Sequence, residues 1–369
     1  MSHFSDTSLG AGVNDAPSAI RGHVVTPTEV FEGEVVCQHG VIVEVNRCRV
    51  EAGAPLIVPG LIDLQINGSF GIDISSQPER TSEITAGLRT EGVGAFLPTV
   101  ISCGPERRRH ALEVLEVLVS DSTGPIGIHL EGPLLAPSQR GAHRAEFLES
   151  IDHCDTSRWR REFGVAMVTL APELPGATAL IRDLVESGVV VALGHTGADA
   201  ATYETAIAAG ARYATHLFNA MGSFHHRDPG PIGVVLADDV MTAGLIADGH
   251  HVDPRAVRLA WRALGPDRIT LVTDAVTSRG QDDAAAVARL RDGTIAGGMV
   301  PLVQCLSNLI AWTGAALVDA VRTVTTTPAD LLGRFDLGAI EVGRRADLCA
   351  LDGGFKPVEF WSGGVSLAP

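Results

Sequence analysis

The sequence predicts an α/β protein: a (β/α)8 TIM-like barrel carrying a small discontinuous β-sandwich domain formed by both chain ends. Three observations lead there. Eight short apolar runs recur through the middle of the chain, amphipathic stretches separate most of them, and β-rich segments flank the whole at either end. Apolar strands alternating with amphipathic helices indicate parallel strands buried on both faces. Eight such units close into a barrel. The rival is an open doubly wound sheet, and against it LIDLQINGSFG offers no GxGxxG turn after the first strand.

Each segment has its own signature. Residues 1–18 are polar and rich in Gly, Ser and Asp, which predicts a disordered extension. Residues 19–58 hold the β-branched, Gly-punctuated stretches IRGHVVT, GEVVCQHG and VIVEVNRC, the first part of the β domain. The barrel spans 59–335. Its strands are LIDLQING, AFLPTV, IGIHLEGP, VAMVTLAPE, VVVALGHT, YATHLFNA, MTAGLIADG and ITLVTDA, with helices such as PERRRHALEVLEVLVS and ADAATYETAIAAG between them. Residues 336–369 return to strand texture in RADLCALD and KPVEFWSGG and complete the β domain.

Composition narrows the function. A net charge of −16 over 369 residues argues against nucleic acid or an anionic membrane as partner, and obliges any anionic substrate to find a local cation. The six cysteines are scattered without a CxxC pair, which predicts reduced thiols and a cytoplasmic location. No apolar run is long enough to span a bilayer.

Polar residues interrupt the apolar runs at their C-terminal ends. Gln65 and Asn67 end the first, Glu131 the third, His195 the fifth, His216 the sixth and Asp274 the eighth. In a barrel those ends open onto one face, where active sites are built. One carboxylate and two imidazoles suit Zn²⁺ or Fe²⁺ with a position left open for water. A lone histidine near a strand end is more often a satisfied core or surface residue; the constellation is what carries weight. Asp274 is the candidate proton shuttle, since a carboxylate beside metal-activated water can take its proton and return it to a leaving amine. The only lysine is Lys356, so no carbamylated lysine can bridge two metals within the barrel. The first strand ends in Gln65-Ile66-Asn67, neutral amides where two-metal barrel hydrolases carry HxH. One divalent ion per chain is expected, with Gln65 near it but not a ligand.

PGLIDLQINGSFGID, GAFLPTVIS, GIHLEGPLLAPSQRGAH, TLAPE, ALGHTGA, THLFNAM, HHRDPG, GLIADGHHV, LVTDA and DGTIAG stand in the order and spacing of one family. Over about Pro59 to Gly333 the chain resembles the N-acetylglucosamine-6-phosphate deacetylases. The resemblance implies that Glu131, His195 and His216 hold the metal and that Asp274 is the acid/base. It implies further that His143 polarises the acetyl carbonyl, and that Asn219, Ala220 and His251 contact the sugar phosphate. Arg227 in HHRDPG matches a phosphate-binding arginine that the family donates from a neighbouring subunit, so a homodimer is expected. A guanidinium fork suits phosphate because it bonds two oxygens at once.

Two departures stand out: TSRGQDDAAAVARLRDG after Asp274 is short, and the family's AGS reads Ala296-Gly297-Gly298. The expected reaction is hydrolysis of N-acetyl-D-glucosamine 6-phosphate to glucosamine 6-phosphate and acetate. The runner-up substrate is another N-acetylhexosamine phosphate, such as the galacto epimer. A catalytically dead scaffold is the reading from a different class, and such a barrel should have lost its ligands or its acid/base first.

Overall fold

The computed structural model describes residues 17–120, 124–281 and 287–367. The extension expected over residues 1–18 therefore lies outside the described residues, apart from Pro17 and Ser18. Ser18 belongs to a strand: it pairs with Cys37, and its hydroxyl donates to the Gly364 carbonyl.

Four strands open the chain: β1 (Ser18–Val25), β2 (Val30–Gln38), β3 (Val41–Arg47) and β4 (Leu56–Pro59). Three close it: β17 (Leu348–Leu351), β18 (Pro357–Ser362) and β19 (Val365–Leu367). They form one seven-stranded sheet in the order β19-β18-β17-β4-β1-β2-β3, which fits the β-sandwich domain expected from both ends. Alternation sets its inner face: Ile20, Val24, Val35, Ile42, Ile57, Leu348 and Trp361 share one buried cluster.

Between the ends lie β5 (Leu61–Ile66), β8 (Val93–Ile101), β9 (Ile128–Glu131), β10 (Val165–Leu170), β11 (Val190–Leu193), β12 (Tyr213–Ala214), β13 (Thr242–Leu245) and β14 (Ile269–Leu271). These eight parallel strands follow chain order around the sheet, and a bridge between Ile66 and Ala275 joins first to last. A two-strand hairpin, β6 (Gly68–Ser69) and β7 (Ile72–Asp73), follows β5, and another, β15 (Ala288–Arg289) and β16 (Ile295–Gly297), follows β14.

Among the described residues nine α-helices accompany the strands: α1 (Thr81–Thr90), α2 (Pro105–Ser120), α3 (Ala177–Glu186), α4 (Ala200–Ala208), α5 (Gly230–Ala237), α6 (Pro254–Leu264), α7 (Leu302–Thr313), α8 (Leu317–Arg322) and α9 (Thr326–Leu331). Their starts follow local chemistry. Asp199 caps α4 by accepting from the Thr202 N–H, and Asp253 caps α6 through the Arg255 N–H with Pro254 at the first helical position. The β9–β10 connection has no α-helix; four single 3-10 turns carry residues 137–163, and the loop they make overhangs the site.

The barrel interior is layered with the two-residue period of its strands. Leu97, Met167, Ala192 and Tyr213 form an apolar layer. A Leu97→Ala change there would cost about 2–5 kcal/mol. Two residues further along, Thr99, His129, Thr169 and Thr215 form a polar layer, bonded His129 to Thr169 at 2.8 Å and Thr169 to Thr215 at 2.8 Å. The candidate site sits on top of it. Among the described residues no helix is long and apolar enough to cross a membrane.

Candidate active site

Glu131 ends β9 two residues beyond His129, so it points inward by alternation. His195 and His216 do not follow so simply. Ala192 and Thr215 face inward, so strict alternation would send both imidazoles out of the barrel. Both residues instead take left-handed backbone angles, φ +49° and +29°, that turn them back. Asp274 (φ +51°) and Ala220 (φ +49°) do the same. Such angles are unfavourable for residues with a Cβ and collect at functional sites.

The turns converge. Glu131 Oε1 lies 3.2 Å from His195 Nε2 and 3.0 Å from His216 Nε2, and the two imidazole nitrogens are 3.1 Å apart. All three side chains are buried. The Gln139 carbonyl, which can only accept, faces His195 Nδ1 at 2.9 Å. That bond puts the ring proton on Nδ1 and leaves the Nε2 lone pair facing His216 and Glu131. Burial lowers His195 to about 4, so its imidazole is neutral. Burial works to raise Glu131, but the imidazoles of His143, His195 and His216 gathered around it hold it well below the usual carboxylate range. An anionic oxygen and two imidazole nitrogens aimed at one point fit a divalent cation.

Gln65 and Asn67 bind the carboxylates. Gln65 Nε2 donates to Glu131 Oε1 at 2.9 Å and to Asp274 Oδ1 at 3.0 Å, and Asn67 Nδ2 donates to the same Asp274 oxygen at 2.7 Å. Both amide oxygens are left without a hydrogen-bond partner, so the two residues face the site as N–H donors. Burial, followed by the charge of Glu131, raises Asp274 to about 6.

A cavity of about 600 Å³ opens over this floor, and His143, Asn219, Ala220 and His251 line it. His143 Nε2 lies 3.7 Å from Glu131 Oε2, and its ring meets His195 edge-on. His251 Nδ1 bonds Asp248 at 2.7 Å. Arg227 is not among the lining residues: it sits in the exposed loop 223–228, with Phe224 57% exposed beside it. Thr294, Ile295 and Ala296 form another wall, so the short segment after Asp274 borders the site. Gly298 lies directly behind Asp274, its N–H donating to the Asp274 carbonyl. A Cβ there would come 1.9 Å from the Thr273 oxygen, so this backbone has no room for the serine of AGS.

Three orienting groups went unread in the sequence: Gln139, Asp248, and Ser102, whose hydroxyl lies 2.9 Å from His143 Nδ1. Ser102 and Asp248 also follow strands, β8 and β13, and the strand-end signal that marked Glu131 would have found them.

A carboxylate, two imidazoles and a second carboxylate at the mouth of a parallel barrel are the equipment of a metal-dependent hydrolase. Comparison with known proteins agrees. Residues 56–367 match the Amidohydrolase family. The N-acetylglucosamine-6-phosphate deacetylase of Danio rerio is 36% identical over 336 residues, 82% of each chain. The N-acetylgalactosamine-6-phosphate deacetylase of Shewanella sp. (strain ANA-3) is also 36% identical, over 84% of this chain and 83% of its own. A mutant N-acetyl-D-glucosamine-6-phosphate deacetylase from Mycobacterium smegmatis, solved in complex with N-acetyl-D-glucosamine-6-phosphate, superposes with a TM-score of 0.90 at 31% identity, covering 96% of this chain and 100% of that one. The chain belongs to the amidohydrolase family, and within it to the N-acetylglucosamine-6-phosphate deacetylases.

Proposed function

We propose that the protein hydrolyses N-acetyl-D-glucosamine 6-phosphate to glucosamine 6-phosphate and acetate. The observation that carries this is Asp274 joined through one Gln65 amide to the Glu131, His195 and His216 cluster, on the floor of a cavity wide enough for a sugar. Glu131, His195 and His216 would hold one divalent ion, Zn²⁺ or Fe²⁺, which when bound polarises a carbonyl and makes water more acidic. Gln65 would lie beside that ion as a neutral amide whose N–H groups are given to Glu131 and Asp274, which supports a single metal with Gln65 outside its ligand set. Asp274 takes the proton of the attacking water and returns it to the amide nitrogen as the C–N bond breaks. His143 donates a hydrogen bond to the acetyl carbonyl, and His251 with the Asn219–Ala220 turn receives the sugar phosphate.

The phosphate cation is Arg227 of a second copy. Arg227 does not line the cavity of its own chain, and its loop is exposed beside Phe224, which supports an obligate homodimer with shared sites. The six free cysteines support a reducing, cytoplasmic setting.

A second reading has a specific support: the Shewanella relative is as similar as the Danio rerio one, so the galacto epimer is a candidate substrate. Acetate release from a panel of N-acetylhexosamines, phosphorylated and not, with metal content measured on the same preparation, tests both readings. No release from either 6-phosphate by metal-loaded protein would overturn them, and would reinstate the inert scaffold.

A further inference from the structure

Among the described residues, the Ser102 hydroxyl makes one hydrogen bond, to His143 Nδ1 at 2.9 Å. Both side chains are buried, with Ser102 5% and His143 6% exposed. Ser102 directly follows β8, so the barrel wall fixes its backbone. Its hydroxyl is also walled in: a Cβ at Gly132, the glycine of HLEGP, would come 2.4 Å from Ser102 Oγ. Gly132 has φ +78°, so glycine suits that position twice over.

A hydroxyl can donate or accept, but this pair has one consistent arrangement. If His143 Nδ1 carried the ring proton, Ser102 would accept it, and the serine's own proton would be buried with no acceptor among the described residues. Burying such a donor unpaired is unfavourable. If Ser102 donates to Nδ1, both groups are satisfied and the ring's single N–H sits on Nε2. The other side of the ring agrees. Nε2 faces the Glu131 carboxylate at 3.7 Å, an acceptor only, and borders the cavity.

We propose that Ser102 is a positioning residue for the deacetylation: it holds His143 as the Nε2–H tautomer, so that His143 offers a donor to the amide carbonyl. This rests on the functional reading above. The neighbouring imidazoles are oriented by other chemistry. A carbonyl faces Nδ1 of His195 and puts the lone pair on Nε2, as a metal ligand needs. A hydroxyl donor facing Nδ1 of His143 gives the opposite tautomer, as a carbonyl-polarising donor needs.

The test uses zinc-loaded protein with ¹⁵N-labelled histidine, and its readout is the pair of imidazole nitrogen shifts of His143, assigned by their loss in His143→Asn. The wild type should show the Nε2–H pattern. Ser102→Ala should lose it, and Ser102→Thr, which keeps a hydroxyl, should restore it. With N-acetyl-D-glucosamine 6-phosphate, Ser102→Ala should lower kcat roughly 10–100-fold at little change in KM and unchanged zinc content. Ser102→Thr should recover most of that loss. An Nδ1–H pattern in the wild type overturns the proposal, and so does a Ser102→Ala spectrum identical to it. If Ser102→Ala does not fold, the wild-type and Ser102→Thr spectra decide alone. The expected spectra from a protein that releases no acetate would refute the functional reading and leave the tautomer assignment standing.

Discussion

Asp274→Asn separates proton transfer from architecture. In the wild type, Asp274 Oδ1 accepts two N–H groups, from Gln65 at 3.0 Å and Asn67 at 2.7 Å. The carbonyl oxygen of an asparagine can keep both, so the side chain should hold its place. Asp274 lies outside the cluster formed by Glu131, His195 and His216, so metal content should not change. Stability should not fall either, because burial and the nearby Glu131 charge already disfavour the Asp274 carboxylate and raise it to about 6. What disappears is a group able to take a proton and return it. General acid–base groups contribute roughly 10²–10⁴-fold, which is about 3–5 kcal/mol of barrier. The assay is acetate release at saturating phosphosugar, with zinc or iron quantified and the thermal midpoint measured on the same sample. A variant with full metal, an unchanged midpoint and near-normal kcat would show that Asp274 is not the shuttle. A variant that loses metal would show that it is a ligand.

Three further outcomes follow from the same geometry. Because Gln65 and Asn67 present N–H donors where HxH would present lone pairs, elemental analysis of active protein should give about one tightly held divalent ion per chain; two would refute the single-metal reading. Arg227→Ala should raise KM strongly for the phosphosugar and leave the poor activity on the unphosphorylated sugar nearly unchanged. Refolding it together with Asp274→Asn should restore activity toward about a quarter of wild type, because random mixing makes half the dimers mixed and each of those holds one intact site; mixed dimers without recovery would refute donation across the interface. The third outcome concerns Asp63, fully buried against Thr273, which burial raises from the usual 3.8 to about 6. A carboxyl that holds its proton more tightly when folded contributes stability below its unfolded value and loses it as pH rises through the folded one. At ~1.4 kcal/mol per pH unit, the wild type should lose about 3 kcal/mol relative to Asp63→Asn between roughly pH 4 and 6. Parallel denaturation curves for the two proteins across that range would show that Asp63 does not titrate there.

The strands were legible because each barrel strand is a short apolar run, and burial on both faces leaves no other pattern to read. Glu131 and Asp274 were legible as carboxylates ending such runs. Ser102 and Asp248 follow strands too, so the same signal flags their positions, but a serine or aspartate there usually caps a turn and nothing local says that these two face imidazoles. Gln139 acts through its main-chain carbonyl, so its side chain carries no signal at all. Gly298 looked like a lost serine. It is instead a glycine forced by the Thr273 carbonyl, and a contact between residues 25 positions apart has no local signature. Arg227 lies outside the cavity of its own chain, a placement that the HHRDPG motif by itself does not reveal.

His195 and His216 are the most instructive case. Their residue types and strand-end positions pointed to a pair that the structure does bring together, although alternation would place both side chains outside the barrel. Their left-handed angles bring them in, and those of Asp274 and Ala220 shape the same few ångströms. A left-handed residue with a Cβ costs roughly 1–3 kcal/mol, and glycine would remove that cost. Glycine, however, supplies neither an imidazole nor a carboxylate. The chemistry therefore fixes the residue, and the buried barrel beneath it must hold the unfavourable backbone in place. At His195, the main-chain oxygen accepts from Ala136 while the ring binds Gln139, so one loop grips both backbone and side chain. That loop is the helix-free β9–β10 connection, which also presents His143 to the cavity. The absence of a helix there is what lets a single segment orient His195 and deliver His143 to the same carboxylate.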